Sequence, residues 1–332
     1  MTDRLLQPSD PAIAGWLAEH GFAAARWEPL AGDLSPRRYF RLQAHHGETA
    51  LVALYPRSQR HDCSRFLAST ELLRRAGIAV PSVLSAECSR GLMLLEDLGP
   101  STLYDLGRRG GAALLEDYFR HAAQISERIA ALDPGPVARL NPPLGTELLS
   151  SELRTTREAL LEPFNLLGEP ELFDQSTARL CQRLGESQPV PCHRDFMVRN
   201  LMPVGPAPGL AVLDHQGLRL GPPLYDLASL LNDSLFLPGN EESRLLSERI
   251  GEAERRVAFH RAAAQRTLKA AGTYAAFARK GHPRHFALVP ETLERALNHL
   301  ASCPETTELA ARLRPLWSSF NGRDRRPAPG PN

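Results

Sequence analysis

Lysine is nearly missing from this chain. Of 39 basic residues only Lys269 and Lys280 are lysine, and every other is arginine, a bias that a GC-rich genome can produce without functional cause. No lysine before Lys269 is therefore on hand to grip a phosphate. Cysteine is sparse too. Cys63, Cys88, Cys181, Cys192 and Cys303 are odd in number and widely spaced, with no C-x-x-C pair. That argues against a zinc site or a disulfide framework and predicts a reduced, cytoplasmic protein. No run of 18 apolar residues occurs, and the N-terminal stretch has no apolar h-region, so no membrane anchor is expected. Charge of one sign is absent: 39 basic against 38 acidic residues leave +1, which excludes a whole-chain drive toward nucleic acid or an anionic membrane. The loop that leads into "RYFRLQA" holds Gly32 as its one glycine, so no glycine-rich loop is written there.

What is present suits two lobes. At 332 residues and 42% apolar content the chain can bury a sizeable core. Residues 10–22 read as a helix with Ile13, Trp16, Leu17 and Phe22 on one side. "RYFRLQA" and "TALVALY" read as strands joined by the turn "HHGE", where His45 and His46 are turn residues. Residues 62–76 have helical spacing, with Asp62 or Ser64 as the cap and Gly77 at the stop. "SVLSAE" and "GLMLLEDL" add two more strand candidates. Beyond them helices are predicted over 112–132, 146–162 and 171–185, strands near 189–192 and 210–214, and mostly helical stretches over 224–236, 241–281 and 290–320. The fold class is α+β: a small antiparallel-sheet lobe over 1–98 and a helical lobe over 99–320. The Pro/Gly-rich tail, 321–332, is expected to be disordered.

The chemistry lies in "CHRDFMVRNLMPVGPAPGLAVLDHQ", residues 192–216. His193-Arg194-Asp195 is followed by Asn200, and fourteen residues later Asp214 ends a strand-like run. Phosphoryl transfer needs a carboxylate near the acceptor hydroxyl and oxygen ligands for magnesium; positioning and charge neutralisation do the rest. A loop sending Asp195 toward an acceptor and Asn200 toward a metal supplies two of these groups, and Asp214 supplies the third. Asp and Asn offer the hard oxygens that magnesium prefers. His193 and Arg194 hold the loop's shape.

These segments, with "GDLSPRRYFRL", "DCSRFLASTELLRRAGIAVPSVLSAE", "GLMLLEDLG", "LYDLASLLND" and "AQRTLKAAGTYAAFARKGHPRHF", resemble the kinase-like phosphotransferases related to aminoglycoside and choline kinases. Within them the chain is most similar to the bacterial anomeric sugar kinases acting on N-acetylmuramic acid and N-acetylglucosamine, over residues 30–300. The resemblance implies a two-lobed protein-kinase-like fold that takes ATP and Mg2+ between its lobes and a small-molecule sugar as partner, in cell-wall sugar recycling. It implies Asp195 as catalytic base, Asn200 and Asp214 as magnesium ligands, and Asp226 as a brace from the following helix. Residues 94–98, with Glu96 and Leu98, would be the hinge that holds adenine.

Three positions depart from the pattern. The strand that carries a lysine in protein kinases has none here, a gap the resembled sugar kinases share, and Glu71 stands where the partner glutamate would be. Arg37 and Arg38, in the loop at the first strands, are the candidates to meet the phosphates, because arginine grips phosphate bidentately. On the acceptor side Met197 and Gly217 replace a histidine and an aspartate of the family pattern, while Gln216 is kept. Gln216, Arg199, Gln265, Arg266 and Lys269 are the candidate substrate contacts. A Cys192–His193 nucleophile is disfavoured, since strand neighbours face opposite ways; Glu96–Asp97 fails as an acid/base pair for the same reason. The arginines of 241–281 interleave with acids at helical spacing and read as a salt-bridged face. Alternatives are a kinase of an aminoglycoside, a choline-like alcohol or another sugar, or a nucleotide-binding pseudokinase.

Overall fold

The computed structural model describes residues 10–30, 36–110 and 112–321; Gly32 and the tail beyond 321 lie outside them. Helix α1 (Pro11–Glu19) starts on Pro11, with the Asp10 carboxylate accepting the Ala12 N–H at 3.0 Å. Then follow β1 (Arg26–Leu30), β2 (Arg38–Gln43), β3 (Thr49–Leu54), α2 (Arg60–Arg75), β4 (Val83–Glu87) and β5 (Leu92–Glu96). The strands form one antiparallel sheet in the order β1-β2-β3-β5-β4. Side chains alternate across it. Phe40, Leu42, Val52 and Leu54 pack with Ile13, Trp16 and Leu17 of α1, while Ala53, Tyr55, Met93 and Leu95 pack with Cys63 and Phe66 of α2.

Three details differ from the sequence reading. β1 was not foreseen; it is an edge strand carrying Pro29, the residue that weakens a strand signal and is tolerated only at an edge. Neither Asp62 nor Ser64 caps α2. The helix begins one turn earlier, at Arg60, and Asp62 instead pairs with Arg65 at 3.2 Å. Cys63 and Cys88, expected to be reduced, are joined in a disulfide with Cα atoms 5.4 Å apart. The first turn of α2 lies against the end of β4, which brings together two cysteines 25 residues apart.

The rest of the chain is α3 (Leu103–Arg109), α4 (Ala112–Ala130), α5 (Pro134–Ala138), α6 (Thr146–Thr156), α7 (Pro170–Gly185), β6 (Val190–Cys192), β7 (Leu201–Pro203), β8 (Leu210–Val212), β9 (Arg219–Gly221), α8 (Tyr225–Leu231), α9 (Gly239–Ile250), α10 (Ala253–Arg279), α11 (Val289–Ala301) and α12 (Thr307–Asn321). The helical stretch 241–281 is broken at Gly251, whose φ of +65° suits glycine. Among the described residues no helix is long and apolar enough to cross a membrane.

The chain divides into two compact units, Met1–Ser101 with Met202–Leu218, and Thr102–Leu201 with Arg219–Asn332. The segment Met202–Leu218 is stitched to the first unit by the Val212 N–H on the Ala79 carbonyl (2.8 Å) and by His215, which stacks on Phe66.

Candidate active site

In the helical unit, β6 delivers the chain into the loop at 193–200. Its partner β9 can lie this close only because residue 221 is glycine, as a Cβ there would meet Cys192 Sγ at 2.6 Å. At the start of α8 the buried Asp226 carboxylate accepts the backbone N–H groups of His193 (2.6 Å) and Arg194 (2.9 Å). That clamp holds Arg194 at φ +78°, a left-handed conformation uncommon outside glycine. Burial pushes the Asp226 carboxyl up to about 6, against His193 and the two amides. Asn200 closes the loop by donating Nδ2 to the Asp195 carbonyl at 2.9 Å. The five-residue spacing is thus the width of one braced turn.

The Asp195 carboxylate faces cations from α10. Lys269 Nζ lies 3.2 Å from Oδ1 and Arg266 at 3.6 Å. Burial works against its ionisation, but Lys269, then Arg266 and Arg194, outweigh it and hold the group well below the usual carboxylate range. Behind them Glu152 of α6 binds Arg194 at 2.6 Å, Lys269 at 3.5 Å and Gln265 Nε2 at 3.0 Å. Glu152 was not singled out from sequence. It sits far upstream of the motif, and only the packing of α6 on α10 brings it in.

The first unit carries Asp214 on the turn after β8, at φ +54° and ψ +35°. Its Oδ1 accepts hydrogen bonds from Arg37 and, at 3.0 Å, from Gln216 Nε2. Arg37 is buried, its guanidinium lying 5.0 and 5.3 Å from the ring centres of Tyr39 and Tyr55. Arg38 lies over Phe40. Beside Asp214, His215 Nδ1 is 2.7 Å from Ser69 Oγ, so α2 braces the turn. At the end of β5, Glu96 accepts the Ser82 N–H at 2.9 Å, and Asp97 takes a two-pronged bond from Arg41 at 2.7 and 3.1 Å. Both acids shape the strand end that leads to the half-buried Leu98.

Two candidate substrate contacts are engaged within the helical unit. Gln265 is fully buried and both ends of its amide are bonded inside the unit, to Tyr225, Leu149 and Glu152, so it supports Glu152 and does not face an acceptor. Arg199 lies over the Tyr104 ring at 4.2 Å and donates to Ser234 at 3.1 Å. Glu71 pairs with Arg75 at 2.6 Å on an exposed helix face. Cys192 is buried, and burial pushes its thiol well up, so it is an apolar filler.

The donor set fits magnesium. Asn200 donates its Nδ2 to the Asp195 carbonyl, and among the described residues both bonds to Asp214 land on Oδ1, so each side chain keeps an oxygen of the kind magnesium prefers. Among the described residues no group of three or more His, Cys, Asp or Glu side chains makes a metal cage.

Residues 26–264 match the model of a phosphotransferase enzyme family. Two curated relatives are named N-acetylmuramate/N-acetylglucosamine kinase. The one from Pseudomonas aeruginosa is 32% identical over 321 residues, covering 87% of this chain and 88% of the relative. The one from Neisseria meningitidis is 29% identical over 320 residues, covering 87% of each. Among solved structures, the ternary complex of streptomycin, ATP and APH(2")-IIa superposes with a TM-score of 0.60 at 15% identity, covering 87% of this chain and 97% of that one. Choline kinase LicA from Streptococcus pneumoniae gives 0.56 at 15% identity, covering 88% and 99%. At that identity the structures speak for the fold alone.

Proposed function

The chain belongs to the phosphotransferase enzyme family, and from that premise we propose that it is an ATP-dependent sugar kinase acting on the anomeric hydroxyl of N-acetylmuramic acid or N-acetylglucosamine. The observation that carries this reading is the braced loop: Asp226 clamps its start, Asn200 closes it, and Asp195 stands on it as an ionised carboxylate. Asp195 accepts the acceptor's hydroxyl hydrogen bond and orients the oxygen for in-line attack on the γ-phosphorus. As the new O–P bond forms and the bond to ADP breaks, the hydroxyl proton passes to Asp195 and then to solvent. Asn200 and Asp214 would each offer an oxygen to magnesium, which would supply charge neutralisation on the phosphates. Arg37 and Arg38 take the place of the missing lysine, and the backbone of residues 94–98 holds adenine. The reaction runs in the cytoplasm, and its sugar 1-phosphate feeds reuse of cell-wall sugars.

Lys269 and Arg266 beside Asp195 speak against a cationic acceptor such as an aminoglycoside or choline-like alcohol. The test is incubation with ATP and magnesium against N-acetylmuramic acid, N-acetylglucosamine, glucose, choline and kanamycin, followed by phosphorus NMR. An anomeric phosphate signal is expected with the N-acetylated sugars, falling by about 10²–10⁴ in rate for Asp195→Ala. Transfer only to kanamycin or choline would discard the sugar. ATP binding without transfer to anything would favour a pseudokinase.

A further inference from the structure

The two acceptors in the relatives' name differ by one charged group: muramic acid carries a lactyl ether whose carboxylate glucosamine lacks. The surroundings of Asp195 are unusually cationic for a site built on a carboxylate. Lys269 and Arg266 come from α10, Arg194 from the loop and Arg219 from β9, against the carboxylates of Asp195, Glu152 and Asp226. Asp226 is already committed to two backbone amides. Asp195 and Glu152 remain to answer these cations, with the buried Asp233 also acting on Arg266.

These cations are not equivalent. Arg194 is held by Glu152. Arg266 is buried, with Nε on Ser229 Oγ at 3.0 Å and Nη2 near the Met197 sulfur at 3.9 Å, so its fork is spent on positioning. Lys269 differs. Its ammonium has three N–H donors, and the structure shows it two carboxylates, Asp195 at 3.2 Å and Glu152 at 3.5 Å. One donor is left over. Its side chain is 14% exposed, next to an Asp195 side chain that is 34% exposed, so neither group is fully closed off from solvent.

We propose that Lys269 is the specificity residue of the acceptor site, its remaining N–H pairing with a carboxylate on the sugar and selecting anionic over neutral acceptors. The proposal rests on the sugar-kinase reading above and adds to it which residue separates the two sugars. An ammonium in a largely buried setting gives a stronger charge-assisted bond than one in water.

The test needs no variant at first. Wild-type protein is given N-acetylmuramic acid, its methyl ester and N-acetylglucosamine, and kcat/KM is measured for each. The acid should exceed its methyl ester by about tenfold or more, the worth of one hydrogen bond to a charged group. In Lys269→Met that ratio should collapse toward one, whatever happens to the absolute rate, and Lys269→Arg should restore part of it. Calorimetric affinities for acid and ester, which need no turnover, should follow the same ratios. An acid-to-ester ratio near one in wild type overturns the proposal while leaving the kinase intact. So does a ratio unchanged by Lys269→Met. No transfer to any of the three sugars overturns the sugar-kinase reading, and the role of Lys269 with it.

Discussion

Arg37 donates a hydrogen bond to Asp214 Oδ1 within the first unit, linking the entrance of β2 to the turn after β8, 177 residues on. The pair places a buried cation directly on the carboxylate proposed to bind magnesium. It also answers the shortage of lysine. An arginine between two tyrosine rings keeps its charge under burial, where a lysine would more readily lose a proton.

If Arg37 passes from Asp214 to the nucleotide, its loss should weaken nucleotide handling first. Arg37→Ala is expected to raise the KM for ATP about ten- to a hundredfold, the range for a hydrogen bond to a charged group. Arg37→Lys should recover only part, because one ammonium cannot reproduce the guanidinium fork. Steady-state kinetics at saturating acceptor decide it; an unchanged KM would remove Arg37 from the nucleotide site.

Asp226 makes a pH prediction. Its carboxyl, raised from 3.8 to about 6 chiefly by burial, keeps a proton in the folded protein that the unfolded chain has already released. Its contribution to stability is therefore full below about pH 4 and falls as pH rises through about 6. Relative to Asp226→Asn, the wild type should lose about 3 kcal/mol of stability across that window. Denaturant titrations of both proteins at several pH values measure the difference, and a gap that stays flat with pH would refute the assignment. Transfer should fall in the variant, since its amide oxygen must serve two N–H groups that the carboxylate served with two oxygens.

Gly272 sets the approach of α10 to α6. A Cβ there would lie 2.4 Å from Thr156 Cα, and Thr156 Oγ1 bonds the Leu268 carbonyl at 2.8 Å across the same seam. Helix propensity alone would make Gly272→Ala stabilising by about 1 kcal/mol. Overpacking should reverse the sign, with a net loss on the order of 1–3 kcal/mol. Because the helices carry Glu152 and Lys269, kcat should drop as well. A melting temperature that rises would show that the seam yields.

The local parts of the site were legible because their geometry is local. His193, Asp195 and Asn200 form one short loop, and Asp214 ends a short apolar strand, so spacing alone suffices. The Arg37 candidacy comes from its position and the scarcity of lysine, and that of Lys269 from helical spacing on a segment that lies beside the acceptor in the resembled kinases. Legibility failed where a signal was masked or where partners lie far apart. Pro29 hid β1, and helical periodicity ran on across Gly251. Nothing in the spacing of Cys63 and Cys88 marks them as a pair, and Gln265, on the same helix face as its neighbours, could not be seen to point inward.

The sequence by itself determined which chemistry is available: oxygen ligands, an oriented carboxylate and arginines where a lysine is usual. It also determined the secondary structure that carries them, because periodicity and turn residues act over a few positions. Only the tertiary structure decided the company those groups keep. Asp214 is stitched into the first unit with Arg37, while Asp195 sits in the second under Lys269 and Arg266. Those electrostatic environments come from residues brought together across tens to nearly two hundred positions of chain, and no local pattern encodes such pairings.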